Sequence, residues 1–162
     1  MSAVRDIVAT YRGPRAVVGR LLEQGQREDR ALAFVMAACV LVFVSQWPKL
    51  ARDAYLSGQE LNPLLGGSLL GWVIIAPLAL YLIAGLSHVV ARLFGGKGTF
   101  YGARIALFWA LLATSPLLLL HGLVAGFVGP GVQLTVVGTL WCAVFLWFWI
   151  AGLTTAERRG VA

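Results

Sequence analysis

Between Glu60 and Glu157 the chain carries no Asp or Glu, and the residues between them are mostly aliphatic, aromatic or small. A helix in water needs a polar face as well as an apolar one. Here the apolar character runs all round, in stretches long enough to cross the ~30 Å hydrocarbon core of a bilayer. Three such runs follow one another: Leu64 to Phe94, Ala103 to Val128, and Val132 to Leu153. A shorter one, Ala31 to Trp47, precedes them and holds no charge. Only 12% of the residues are charged, against about 25% in ordinary soluble domains, so a water-soluble core is excluded. The expected fold is an all-α membrane protein of four transmembrane helices, preceded by an amphipathic N-terminal interfacial helix.

The breaks between runs set the organisation. Trp47-Pro48 is expected to stop the first span with an interfacial aromatic and a proline. Asn62-Pro63 is expected to cap and open the second, whose charge-free part ends before His88 and Arg92. Pro116 is predicted to kink the third span without ending it. Gly129-Pro130-Gly131 turns the chain into the fourth. The chain thus divides into a basic segment at 1–30, a helical membrane domain at 31–157 and a short tail at 158–162.

Before residue 31, Val4, Ile7, Val8, Tyr11, Val18, Leu21 and Leu22 recur at helical spacing, with Arg5, Arg12 and Arg20 opposite. Gly13-Pro14 should divide this segment into two short helices. Cations on one face and aliphatics on the other suit the surface of an anionic leaflet, and Arg5, Arg12 and Arg20 are the expected lipid-facing bases. An ordinary helical cap on the bundle is the alternative. The first 30 residues hold no continuous apolar core of the secretory kind, so insertion is expected to use an uncleaved internal span.

Lys and Arg collect on the cytoplasmic side of a membrane protein. With both termini inside, eleven of the thirteen bases are cytoplasmic, and the outer loops keep only Lys49 and Arg52. Trp47 and Trp72 would then mark the outer interface, and Trp109, Trp147 and Trp149 the inner one. The net charge of +6 has no recognition helix or basic-aromatic sheet pattern beside it, so no nucleic acid is expected. Anionic lipid is the natural partner.

Gly95-Gly96-Lys97-Gly98-Thr99 sits between the second and third runs and invites comparison with a phosphate loop. The spacing fails, because a Walker motif places Gly-Lys-Ser/Thr after a glycine and four residues, between a strand and a helix. A cytoplasmic helix-helix turn is expected instead. His88, four residues before Arg92, and His121, beyond Pro116, are ionisable groups at membrane depth and therefore worth following. With no carboxylate inside the spans and no nucleophile elbow, neither a proton relay nor an intramembrane hydrolase is organised, and no enzyme is expected. Cys39 and Cys142 lie in apolar runs and match neither a disulfide framework nor a zinc site. No metal or cofactor is expected. Gly67-x-x-x-Gly71 and Gly122-x-x-x-Gly126 are small-residue pairs suited to close helix approach, within one chain or in a homo-oligomer.

The run from His88 through Gly95-Gly96-Lys97-Gly98-Thr99-Phe100, followed by an apolar helix reaching Ser115-Pro116, resembles the Yip family of multispanning proteins, named for interaction with Ypt/Rab GTPases. The resemblance implies a helical membrane protein with a cytoplasmic N-terminal region. In eukaryotic relatives it implies association with prenylated small GTPases, vesicle traffic and membrane shape. This chain has a shorter N-terminal region and four expected spans where five are usual, and its small size and Ala, Gly, Arg and Val richness resemble a prokaryotic member. A bacterial inner membrane is the address this implies. The function expected is a non-catalytic scaffold that organises the membrane or binds another membrane protein or complex. The alternative is a small transporter or channel subunit with a path near Pro116 and His121.

Overall fold

The computed structural model describes residues 3–159, and among them all regular structure is helical. Two short helices, α1 (Ala3–Thr10) and α2 (Pro14–Glu23), lead into the long α3 (Glu28–Ser57). Next, α4 (Leu61–Leu69) passes through a widened π segment, Leu70–Ile75, into α5 (Ala76–Leu93). The chain continues as α6 (Phe100–Ala113) and α7 (Ser115–Phe127), and α8 (Val132–Arg158) completes the bundle. Glu28–Ser57, Leu61–Leu93 and Val132–Arg158 are each long and apolar enough to cross a membrane. The pair α6 and α7, bent by 46° at a short break, adds a fourth crossing if it acts as one span. This is an integral membrane protein.

Prolines shape the helices, though not always as expected. Pro14 opens α2 after the Gly13 break. Pro48 does not end the first span: α3 runs through it to Ser57. A proline inside a helix forfeits one backbone hydrogen bond, a loss that neighbouring helices make tolerable in membranes. Here α7 packs along this part of α3. The next helix starts at Leu61 with Glu60 at the cap position, so Asn62 is already helical and does not cap it. The π segment ends just before Pro77, whose ring would press on the carbonyl four residues back in a regular helix; the wider turn relieves that clash. At Thr114 the hydroxyl turns back to the Ala110 and Leu111 carbonyls, and Pro116 enters the first turn of α7, which together produce the 46° bend.

At the centre lies α6. From Tyr101 to Ala113 every residue but Arg104 is buried, as an all-round apolar helix requires. It is enclosed mainly by α3, α5 and α8. Trp109, expected at the inner interface, is instead buried in this core, and its Nε1 donates to the Thr10 hydroxyl at 3.0 Å. An indole buried this deeply needs a hydrogen-bond partner, and α1 supplies it. Val17, Val18 and Leu21 of α2 pack into the same core against α6 and α8. The second N-terminal helix therefore spends its apolar face on the bundle, while α1 turns Val4 and Val8 outward.

Candidate functional site

The glycine turn after α5 is closed by two backbone hydrogen bonds. Gly95, at φ +87°, donates to the Arg92 carbonyl, and Gly96 donates to that of Ala91 at 2.9 Å. This is the Schellman arrangement, and its left-handed residue favours glycine. Thr99 then begins α6, its hydroxyl accepting from the Gly102 amide at 3.1 Å.

A carboxylate from the far end of the chain holds this turn in place. Glu157, in the last turn of α8, accepts from the Gly98 amide through Oε2 at 2.9 Å and from His88 Nδ1 through Oε1 at 2.8 Å. Its backbone carbonyl accepts from the Lys97 amide at 3.1 Å. A carboxylate oxygen accepts, so Nδ1 of His88 is the donor in this bond. Both partners are buried, His88 to 2% and Glu157 to 8% side-chain exposure. Phe100 tilts across the imidazole with ring centroids 4.3 Å apart. The glycines make the approach possible: a Cβ on Gly98 would stand 2.7 Å from the Ala156 carbonyl oxygen, and one on Gly96 would collide with Glu157 Oε2.

Thus His88, Gly96, Gly98, Thr99 and Phe100 converge, whereas Lys97 contributes its backbone and leaves its side chain exposed. Pro116 lies elsewhere, at the α6–α7 bend. The histidine has a carboxylate partner from outside the charge-free runs, because α8 continues past Leu153 and carries Glu157 to it. Glu157 is the residue that sequence reasoning missed. One signal pointed to it: a negative charge in the last helical turn opposes the helix dipole, and such a local conflict needs a compensating partner.

Further polar ties secure the same end of the bundle. Arg159 donates to the Gly19 carbonyl at 3.1 Å and pairs with Glu23 at 2.6 Å, joining the end of α8 to α2. Arg104 of α6 pairs with Glu28 of α3 at 2.8 Å. Arg20 pairs with Asp6 at 3.1 Å, so it ties α2 to α1, while Arg5 and Arg12 are exposed. At the start of α3, Arg27 pairs with Asp29 of the first turn at 2.9 Å.

The two small-residue pairs part company. A Cβ at Gly122 would overlap the Ser45 carbonyl, and one at Gly126 would overlap the Pro48 ring, so this pair brings α7 against α3 within the chain. Around Gly67 and Gly71 a Cβ would meet nothing within 4 Å. His121 is also remote from the glycine turn. It lines a cavity of about 610 Å³ together with Gln46, Trp72, Leu111, Gly138 and Trp149. No group of three or more His, Cys, Asp or Glu placed to hold a metal ion occurs among the described residues.

The buried core helix, the glycine turn and the spans belong to one continuous unit, and residues 9–162 match the Yip1 domain. The chain belongs to the Yip1-domain family. No curated protein and no solved structure matches it. The matched span contains His88, Gly95 to Phe100, Pro116 and Glu157.

Proposed function

We propose that this Yip1-domain protein is a non-catalytic scaffold that organises the bilayer or a partner complex through its cytoplasmic face. The observation that carries this reading is the joining of α2, α5, α6 and α8 at one end by Glu157, Arg159 and the glycine turn. Such a face is held rigid, and preorganised surfaces bind at a lower entropic cost. Leu93 and Phe94 project from it at 81% and 88% exposure, beside Arg92 and Lys97. An apolar knob ringed by cations suits an anionic membrane surface or a partner docked there. Arg5, Val4 and Val8 on the outward side of α1, with Arg12 in the turn that follows it, extend the same chemistry.

The reading takes four spans, with α6 and α7 as one bent crossing and both termini cytoplasmic, in a bacterial inner membrane. That orientation keeps eleven of the thirteen Lys and Arg residues inside. The second reading, a transporter or channel subunit, draws on the cavity at His121. The scaffold reading stands first because the cavity walls are almost wholly apolar and Pro116 does not line them.

A photoreactive side chain in place of Phe94, activated in native membranes, tests the scaffold reading. The expected result is a discrete protein adduct that disappears when Lys97 is also changed to Glu. Adducts with lipid alone, unaffected by Lys97→Glu, would contradict partner binding at this face.

A further inference from the structure

We infer that the cavity between α5 and α8 is a binding site for a single long-chain lipid bearing one neutral hydrogen-bonding head group, a hydroxyl or carbonyl. Its wall is built from α3, α5, α6, α7 and α8, with Leu107 and Leu111 of the buried central helix on its inner side. Its volume of about 610 Å³ lies within the range of small-molecule sites, roughly 300–1,000 Å³. Exposed Ile83 and Cys142 form part of the lining, so the cavity opens sideways toward lipid between α5 and α8.

The polar groups decide the ligand class. Gln46 and His121 neighbour Ser45 and Gly122, where α3 meets α7, and neither has a hydrogen-bonding partner among the described residues; Trp141 and Trp149 bring buried, unpartnered Nε1 donors to the same lining. A polar group without a partner at membrane depth is expensive, because lipid tails offer no hydrogen bonds. His121 Nε2 sits against α8, where a Cβ on Gly138 would come within 3.3 Å of it. From Gly138 the cavity lining follows α8 to Trp149, a rise of about 16 Å at 1.5 Å per residue. That is about half of a ~30 Å hydrocarbon core, the length of one lipid tail in one leaflet. A head group at Gln46 and His121 therefore leaves its chain against Ile83, Leu107 and Trp149.

The head should be neutral. No Lys or Arg lines the cavity, so a phosphate or carboxylate would have no countercharge there. A hydroxyl or carbonyl needs only the donors and acceptors that the amide and imidazole provide. The inference does not depend on the scaffold reading, since the cavity and the Glu157 contact share no residue.

The test uses the full chain in phosphatidylcholine nanodiscs with a long-chain fatty alcohol carrying a diazirine at its methyl end. Photolabelling is expected to saturate and to map to Leu107, Phe145 and Trp149. An unlabelled fatty alcohol should compete, and the alkane of equal length should compete poorly. His121→Leu and Gln46→Leu should each weaken competition about three- to tenfold, the loss of one hydrogen bond, with an unchanged melting temperature. Ala79→Trp, which fills the groove, should abolish saturable labelling, whereas Leu78→Trp on the exposed side of α5 should not. Non-saturating labels spread over Leu78, Leu82 and Ile150 would overturn the proposal by showing bulk lipid only. Equal competition by the alkane would overturn the head-group site. Quantitative Cys142–Cys142 cross-linking accompanied by loss of labelling would overturn it in favour of a second copy covering the groove. Wild-type saturation and competition decide the matter even if Ala79→Trp fails to fold.

Discussion

The chain's two histidines occupy opposite environments. His88 is buried, bonded to Glu157 at 2.8 Å and overlain by Phe100. His121 is half-buried on a cavity wall and has no hydrogen-bonding partner among the described residues. The two glycine pairs divide in the same way, Gly122 and Gly126 pressed on α3 while Gly67 and Gly71 face open space. One set of residues is consumed in making the structure, and the other is left available to something outside the chain. The same residue types thus carry different meanings, and what separates them is the partner across the contact.

Substitutions sharpen this contrast. The largest effect is expected at Gly122→Val, since the added side chain would drive α7 off the Ser45 carbonyl; a loss of about 3 kcal/mol or more is predicted in denaturant unfolding from micelles. Glu157→Ala comes next. It strands the His88 imidazole and the Gly98 amide together, and the predicted loss is about 2–4 kcal/mol by the same assay. Glu157→Gln should retain part of this, because its amide oxygen can still accept one bond. Further down, His121→Leu should change stability by no more than about 0.5 kcal/mol and would break the contrast if it cost as much as Glu157→Ala. The smallest effect is predicted for Gly71→Ala. With nothing near the added methyl, stability in the same unfolding assay should be unchanged or slightly raised, since alanine favours the helix; a marked loss of stability would contradict the open surroundings of this glycine.

Much of the fold was legible because membrane helices announce themselves by charge-free length, and Gly13-Pro14, Pro116 and Gly129-Pro130-Gly131 break or bend the chain where backbone chemistry demands. Pro48 misled because its helix-stopping tendency yields when a neighbouring helix supports the chain, here α7 against α3. Trp109 misled in a similar way. Its aromatic character suits an interface, but Thr10 gives its indole N–H a partner inside the core. At the site, the glycine turn and His88 stood out locally, whereas Glu157 lies 69 residues from His88 and only folding unites them. The cavity was legible only at His121, where a path was expected, since its wall draws on five helices and Gln46 is far from His121 in the chain.

The most direct test is a double-mutant cycle between His88 and Glu157, using His88→Ala, Glu157→Ala and the double variant in micelle unfolding. A clasp of this geometry predicts a coupling of about 1.5–3 kcal/mol, the value of a hydrogen bond to a charged group. Additive losses, with coupling below about 0.5 kcal/mol, would contradict the claim that this bond holds the glycine turn to the end of α8.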